Sequence, residues 1–177
     1  MALRKNPVWA ELIQLVPVIS LAFPFIVQGQ VDLSRAGVGF LVGALLTIPV
    51  TVAVVARGHI LNPILVGTGL WLWLGACAFQ LPIPALAQWI AATQAFGLFA
   101  GALAVGLATM FLSPHGYIAC RSNSPDWIRR ASLGLLGLTV ACLVLAWAFR
   151  HDVRLGGGLP FILLNVVRRI ACTRAPE

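Results

Sequence analysis

A chain of 177 residues that is 60% hydrophobic and 10% charged, with a mean hydropathy of +0.95, lies outside the soluble range, where about a quarter of residues are charged. Its net charge of +7 would suit nucleic acid if the basic residues formed a stripe with stacking aromatics. They are instead dispersed along the flanks of apolar runs, which excludes that partner and points to an all-α integral membrane protein, one transmembrane domain in a lipid bilayer.

A helix needs about 20 apolar residues to cross roughly 30 Å of hydrocarbon, and six runs approach that length: 8–27, 36–56, 60–79, 85–112, 131–149 and 155–167. The first follows Arg4 and Lys5, as the apolar core of a signal peptide would. It is too long for one and no clean small-x-small cleavage site follows, so it is expected to be a retained span. Pro17, Pro24, Pro49 and Pro63 should bend or begin helices, since each removes a main-chain donor.

In the second run Gly39 and Gly43 form a GxxxG, as do Gly97 and Gly101 in the fourth, where Ala100, Ala104 and Ala108 add a second small stripe. Such residues let helix backbones approach closely in lipid, so these are the expected contact faces. Between the third and fourth runs, Pro82 and Pro84 stop one helix and start the next. The longest connection, 113–130, contains Ser124-Pro125-Asp126, an N-cap, a first-turn proline and an acidic first-turn residue. Trp127, Arg129 and Arg130 follow, and this stretch is expected to lie along the membrane surface before the fifth span.

The sixth run holds only thirteen residues, 155–167, about 20 Å as a helix. It opens on Gly156, Gly157, Gly158 and Pro160, and either crosses or re-enters. If all six cross, Arg4, Lys5, Arg57, Arg121, Arg129, Arg130, Arg168, Arg169 and Arg174 fall on one side, against Arg35, Arg150 and Arg154 on the other. The positive-inside rule then favours a crossing sixth run and a bundle of six transmembrane helices with both termini cytoplasmic. Eleven arginines against one lysine suggest a GC-rich coding sequence, hence a multi-pass protein of a bacterial cytoplasmic (inner) membrane.

Ionisable groups at bilayer depth are nearly absent. Glu11 is the single carboxylate within a run, with Asp32, Asp126, Asp152 and Glu177 in connections or the tail, so a carboxylate relay for proton coupling has little to build on. His59 and His115 fall at cytoplasmic edges and His151 at the outer edge, where each reads as solvated. No HExxH, G-x-S-x-G or Cys-x-x-Cys occurs, and no enzyme is expected. Of four cysteines, Cys142 reads as a small buried hydrophobe, and Cys120 and Cys172, on the cytoplasmic side, are expected to stay reduced.

Cys77 has a richer neighbourhood. At 3.6 residues per turn, Gly69, Trp73, Cys77 and Gln80 share a face. Gln88, Trp89, Thr93 and Gln94 on the next run supply polar and aromatic groups at similar depth. The outer connections add Gln28, Gln30, Asp32 and Arg35, then Arg150, His151, Asp152 and Arg154, and together these could line an outward-facing cavity for a small molecule. The plainer reading makes Trp73 and Trp89 members of the outer aromatic belt.

Six short-looped helices with both termini inside resemble the substrate-binding S-components of energy-coupling-factor vitamin transporters. The resemblance is architectural only; it implies a vitamin ligand and a partner ATPase module with its own membrane subunit. Some cobalamin-binding members carry a cysteine near the outer end of the third helix, where Cys77 stands, which would make Cys77 an axial ligand of a bound metal cofactor. The small-residue A-x-x-x-A docking signature of that family is absent from 8–27. Membrane-embedded binding or transport of a small solute is therefore the leading expectation. An accessory or assembly subunit docking other membrane subunits through its Gly/Ala faces is the alternative. A lipid-modifying enzyme using His115, Tyr117, Arg121, Arg129 and Arg130 is a third reading, although topology alone demands a basic cytoplasmic loop.

Overall fold

The computed structural model describes residues 8–19, 33–81, 83–93, 95–150, 152 and 154–176. Among them every regular element is helical: α1 (Val8–Ile13), α2 (Leu33–Ala56), α3 (Pro63–Gln80), α4 (Pro84–Thr93), α5 (Phe96–Leu112), α6 (Pro125–Ala148), a π-helical turn (Arg154–Gly158) and α7 (Leu159–Thr173). Four stretches are long and apolar enough to cross a membrane, namely Ala36–Ala56, Pro63–Gln80, Pro125–Ala148 and Arg154–Thr173, and α4 with α5 makes a fifth if the two are one broken span. The first run is represented by the short apolar helix Trp9–Ile19; Pro24, the connection carrying Gln28, Gln30 and Asp32, and His151 lie outside the described residues.

Three boundaries differ from the sequence reading. The run 85–112 is not one helix: α4 ends at Thr93 and α5 begins at Phe96. The stretch around Trp127 does not lie apart from the fifth span: Ser124 Oγ accepts the Trp127 amide at 3.3 Å, Pro125 occupies the first turn, and one uninterrupted helix of 24 residues follows. The cap signal was sound, and nothing between Arg130 and Ala131 breaks the helix. The sixth run is longer than its apolar part, because α7 continues through Arg168 and Arg169 to Thr173.

The π-helical turn is closed by Asp152, whose Oδ1 accepts the amides of Arg154 at 2.8 Å and Leu155 at 3.1 Å. An aspartate at this position satisfies donors that a helix start leaves unpaired.

The described chain divides into two units, the first made of Met1–Leu61 and Thr68–Ala92, the second of Asn62–Gly67 and Thr93–Glu177. In the first, α2 and α3 meet through small residues set against rings. Phe40 stacks on Phe79 with centroids 5.6 Å apart, Gly75 lies directly against the Phe40 ring, and a Cβ at Gly37 would sit 3.1 Å from Phe79 Cβ. Gly69 faces Thr47 in the same way. Gly39 and Gly43 are buried as expected, and the contact with α3 through Phe79 is made at Gly37, which the GxxxG spacing does not mark.

α2 ends at Gly58, whose φ of 71° is the left-handed conformation that glycine adopts without a Cβ penalty. The Gly58 amide bonds the Val55 carbonyl and the His59 amide the Val54 carbonyl, the paired closure of a Schellman cap. The chain turns back there, and His59 packs edge-on to Trp9 at 5.2 Å while Arg57 lies 5.1 Å over the same indole. His59 is consequently buried, not solvated as the sequence reading expected.

The second unit has its core on α5, α6, α7 and the connection before α6. Phe99, Ala102, Tyr117, Ile118, Ile128, Leu135, Cys142, Ala146 and Leu164 form one cluster with Ile64. Gly67 and Gly101 face each other so closely that a Cβ at Gly67 would lie 2.5 Å from Ala102 Cα, which makes Gly101 the contact its GxxxG foretold. The second stripe behaves otherwise: Ala104 and Ala108 are exposed.

Candidate functional site

Trp73, Cys77 and Gln80 line one face of α3, and all three are exposed. Their alignment follows from helical spacing, and their exposure follows from the opposite face, where Trp71, Gly75 and Ala78 are buried. Cys77 is a free thiol, open to a ligand or reagent. Among the described residues no group of three or more His, Cys, Asp or Glu side chains converges. Cys77 brings one soft sulfur donor to this face of α3.

On α4, Trp89 is half exposed and meets Trp71 edge-to-face with centroids 5.5 Å apart. Trp71 and Trp73 are two residues apart and so point to nearly opposite sides of α3. Trp89 is thereby held by the Trp71 side of α3, away from the Trp73–Cys77–Gln80 line. Gln88 is exposed, and Gln94 lies outside the described residues. Thr93 is buried, Asp152 is engaged in the π-helical turn, and Arg150 rests over Trp147 at 5.3 Å.

A second constellation, not foreseen in the sequence, occupies the second unit. The connection after α5 folds inward: Gly116, with φ of 57°, and Ala119, with φ of 51°, are left-handed, a conformation rare outside glycine. Between them Tyr117 is fully buried, its ring against Gly106 and its hydroxyl 3.0 Å from Thr139 Oγ1. Ser132 Oγ accepts the Ile118 amide at 3.1 Å, and Arg168 Nε donates to the Ile118 carbonyl at 3.1 Å.

Arg168 is 2% exposed, packed inside the unit where the sequence reading expects only a charge beside an apolar run. Its depth was readable in part, because Pro160, Leu164 and Arg168 recur every fourth residue on the buried face of α7. Two further groups close this assembly. Asn62 Nδ2 donates to Asn165 Oδ1 at 3.0 Å, and Cys120 and Cys172 are joined as a disulfide with Cα atoms 5.4 Å apart. The sequence reading expects both cysteines on one side of the membrane and does not foresee their pairing, which depends on the inward fold of residues 114–120. Cys142 is buried as expected, its thiol 3.6 Å from the Pro160 carbonyl.

Burial drives the Tyr117 phenol up to about 12, since desolvation penalises the phenolate more than the Thr139 hydrogen bond stabilises it. Tyr117 is thus a neutral phenol at physiological pH. No family model matches this chain, and neither a curated protein nor a solved structure is similar to it.

Proposed function

We propose that the chain is a six-span protein of a bacterial cytoplasmic membrane, with both termini in the cytoplasm, that captures a small solute from the outer side for transport. The site is the outer end of α3, formed by Trp73, Cys77 and Gln80. The observation that carries this reading is the alignment of an aromatic ring, a free thiol and an amide on one exposed helix face. Such a face combines an apolar platform with a few placed polar groups, the usual composition of small-molecule sites. The arginine distribution supports the orientation.

A vitamin of the cobalamin type is the ligand class that the Cys77 sulfur suits best, since a soft thiolate is a good donor to a transition metal. Cys77 would hold it through its sulfur, Trp73 would supply an apolar platform, and Gln80 would offer a hydrogen bond. Mass analysis of small molecules extracted from the purified protein tests this. A ligand present in the native protein and lost in Cys77→Ala and Trp73→Ala is expected, and a ligand content unchanged in both variants would contradict it.

One observation favours an accessory subunit of a larger membrane complex instead. Ala104, Leu107 and Ala108 form an exposed patch on α5, where small residues would let a partner helix approach. Stoichiometric copurification of a membrane partner, lost in Ala104→Leu, together with no bound solute, would favour that reading.

A further inference from the structure

The Cys120–Cys172 pair lies outside the solute site and has no part in it. Beside it, the Ile118 carbonyl accepts from Arg168 Nε at 3.1 Å, and the Cys120 and Cys172 sulfurs lie 3.4 Å and 3.8 Å from the same oxygen. As thiols, both sulfurs therefore have an acceptor within sulfur hydrogen-bond reach. As a disulfide, they span Cα atoms 5.4 Å apart, within the ordinary bridge range of roughly 4.4–6.8 Å. The Arg168 bond to that carbonyl involves neither sulfur.

The pair also lies on the side that carries most arginines. Arg121 is exposed beside Cys120, and Arg174 is exposed beyond Cys172. The positive-inside rule makes that side cytoplasmic, where thiols are kept reduced and disulfides are transient, serving redox sensing or catalysis. A bridge that joins residues 52 apart in sequence, ties the inward-folded connection to the end of α7, and faces a reducing compartment is suited to opening and closing.

We propose that Cys120 and Cys172 form a reversible redox-modification site, a dithiol in resting cells that closes to a disulfide by exchange with a small-molecule disulfide such as oxidised glutathione. One thiolate attacks a sulfur of that disulfide, giving a mixed disulfide and releasing one small thiolate, which takes up a proton. The second protein thiolate then attacks the protein sulfur of the mixed disulfide and expels the second small thiolate. Two protein thiols are oxidised and one small disulfide is reduced to two thiols, with no other reactant needed. Closure covalently fixes residues 114–120, with Tyr117 inserted, against α7. The orientation used here belongs to the proposed function; the bound solute does not enter.

The test uses the full chain in its native membrane with Cys77→Ser and Cys142→Ala, so that only the pair carries thiols. Cells are quenched in acid and the thiols counted by the mass added with a maleimide polymer. Two additions are expected in untreated cells, none after exposure of inside-out membrane vesicles to millimolar oxidised glutathione, and two again after dithiothreitol. A further Cys120→Ser change should leave a single thiol that forms at most a mixed disulfide with glutathione. Two observations overturn the proposal: zero additions in untreated cells with resistance to dithiothreitol in the folded protein, which marks a permanent structural bridge, or two additions that persist through glutathione oxidation. Loss of solute binding in Cys77→Ala tests the other reading and leaves this one untouched.

Discussion

The guanidinium of Arg168 donates from Nε to the main-chain carbonyl of Ile118 at 3.1 Å, fifty residues earlier in the chain, and both groups are buried. A charged side chain inside an apolar unit persists only when hydrogen-bonded. Here it also supplies a donor to a carbonyl in a connection with no helical partner for it.

Arg168→Met retains the aliphatic stem and removes that donor. Hydrogen bonds from charged groups contribute about 1.5–3 kcal/mol, and a loss of that order is expected in detergent-denaturation midpoints converted to free energy. An unchanged midpoint would show that the Ile118 carbonyl does not depend on Arg168.

Tyr117 is the single tyrosine of the chain, so phenolate absorbance reports it alone. Titration of the folded protein should place its ionisation at about 12, against about 10 in denaturant. Because the folded value is the higher one, the folded state holds the proton more firmly. Its contribution to stability is complete below pH about 10 and is lost as pH rises towards 12. Tyr117→Phe should remove this alkaline component and lose about 0.5–1.5 kcal/mol through the missing Thr139 bond. A folded-state titration near 10 would place the ring in water.

Gly67→Ala would bring a methyl 2.5 Å from Ala102 Cα, an approach that can be relieved only by moving main chain. Overpacking of this kind costs about 1–3 kcal/mol. Gly134 and Gly137 have nothing within 4 Å of an added Cβ, and alanine at either should be neutral or stabilise α6 by up to about 1 kcal/mol. Thermal midpoints of the three variants in one detergent check the contrast; equal losses at all three would contradict the close α3–α5 approach.

The helices were legible wherever apolar length and punctuation agreed. Residues 36–56 and 60–79 correspond to α2 and α3, and Ser124-Pro125-Asp126 marked the start of α6. The end of α7 was not legible, because an arginine pair reads as the membrane edge unless its partner is known, and that partner is a main-chain carbonyl, which no side-chain pattern reveals. The Trp73–Cys77–Gln80 line was legible because it depends on the period of one helix alone. Trp89 was not, since choosing between Trp71 and Trp73 requires the packing of α4 on α3. The Cys120–Cys172 pairing depends on two left-handed residues, Gly116 and Ala119, and only the glycine announces such a turn.

That the Trp73–Cys77–Gln80 face opens to the outer compartment is tested most directly by treating intact cells with a membrane-impermeant maleimide. Cys77 should be labelled from outside, while buried Cys142 reacts only after denaturation and Cys120 and Cys172 are protected until the cytoplasmic face is exposed. Labelling of Cys77 only in inside-out vesicles, or of none of the four cysteines before denaturation, would contradict an outward-facing site.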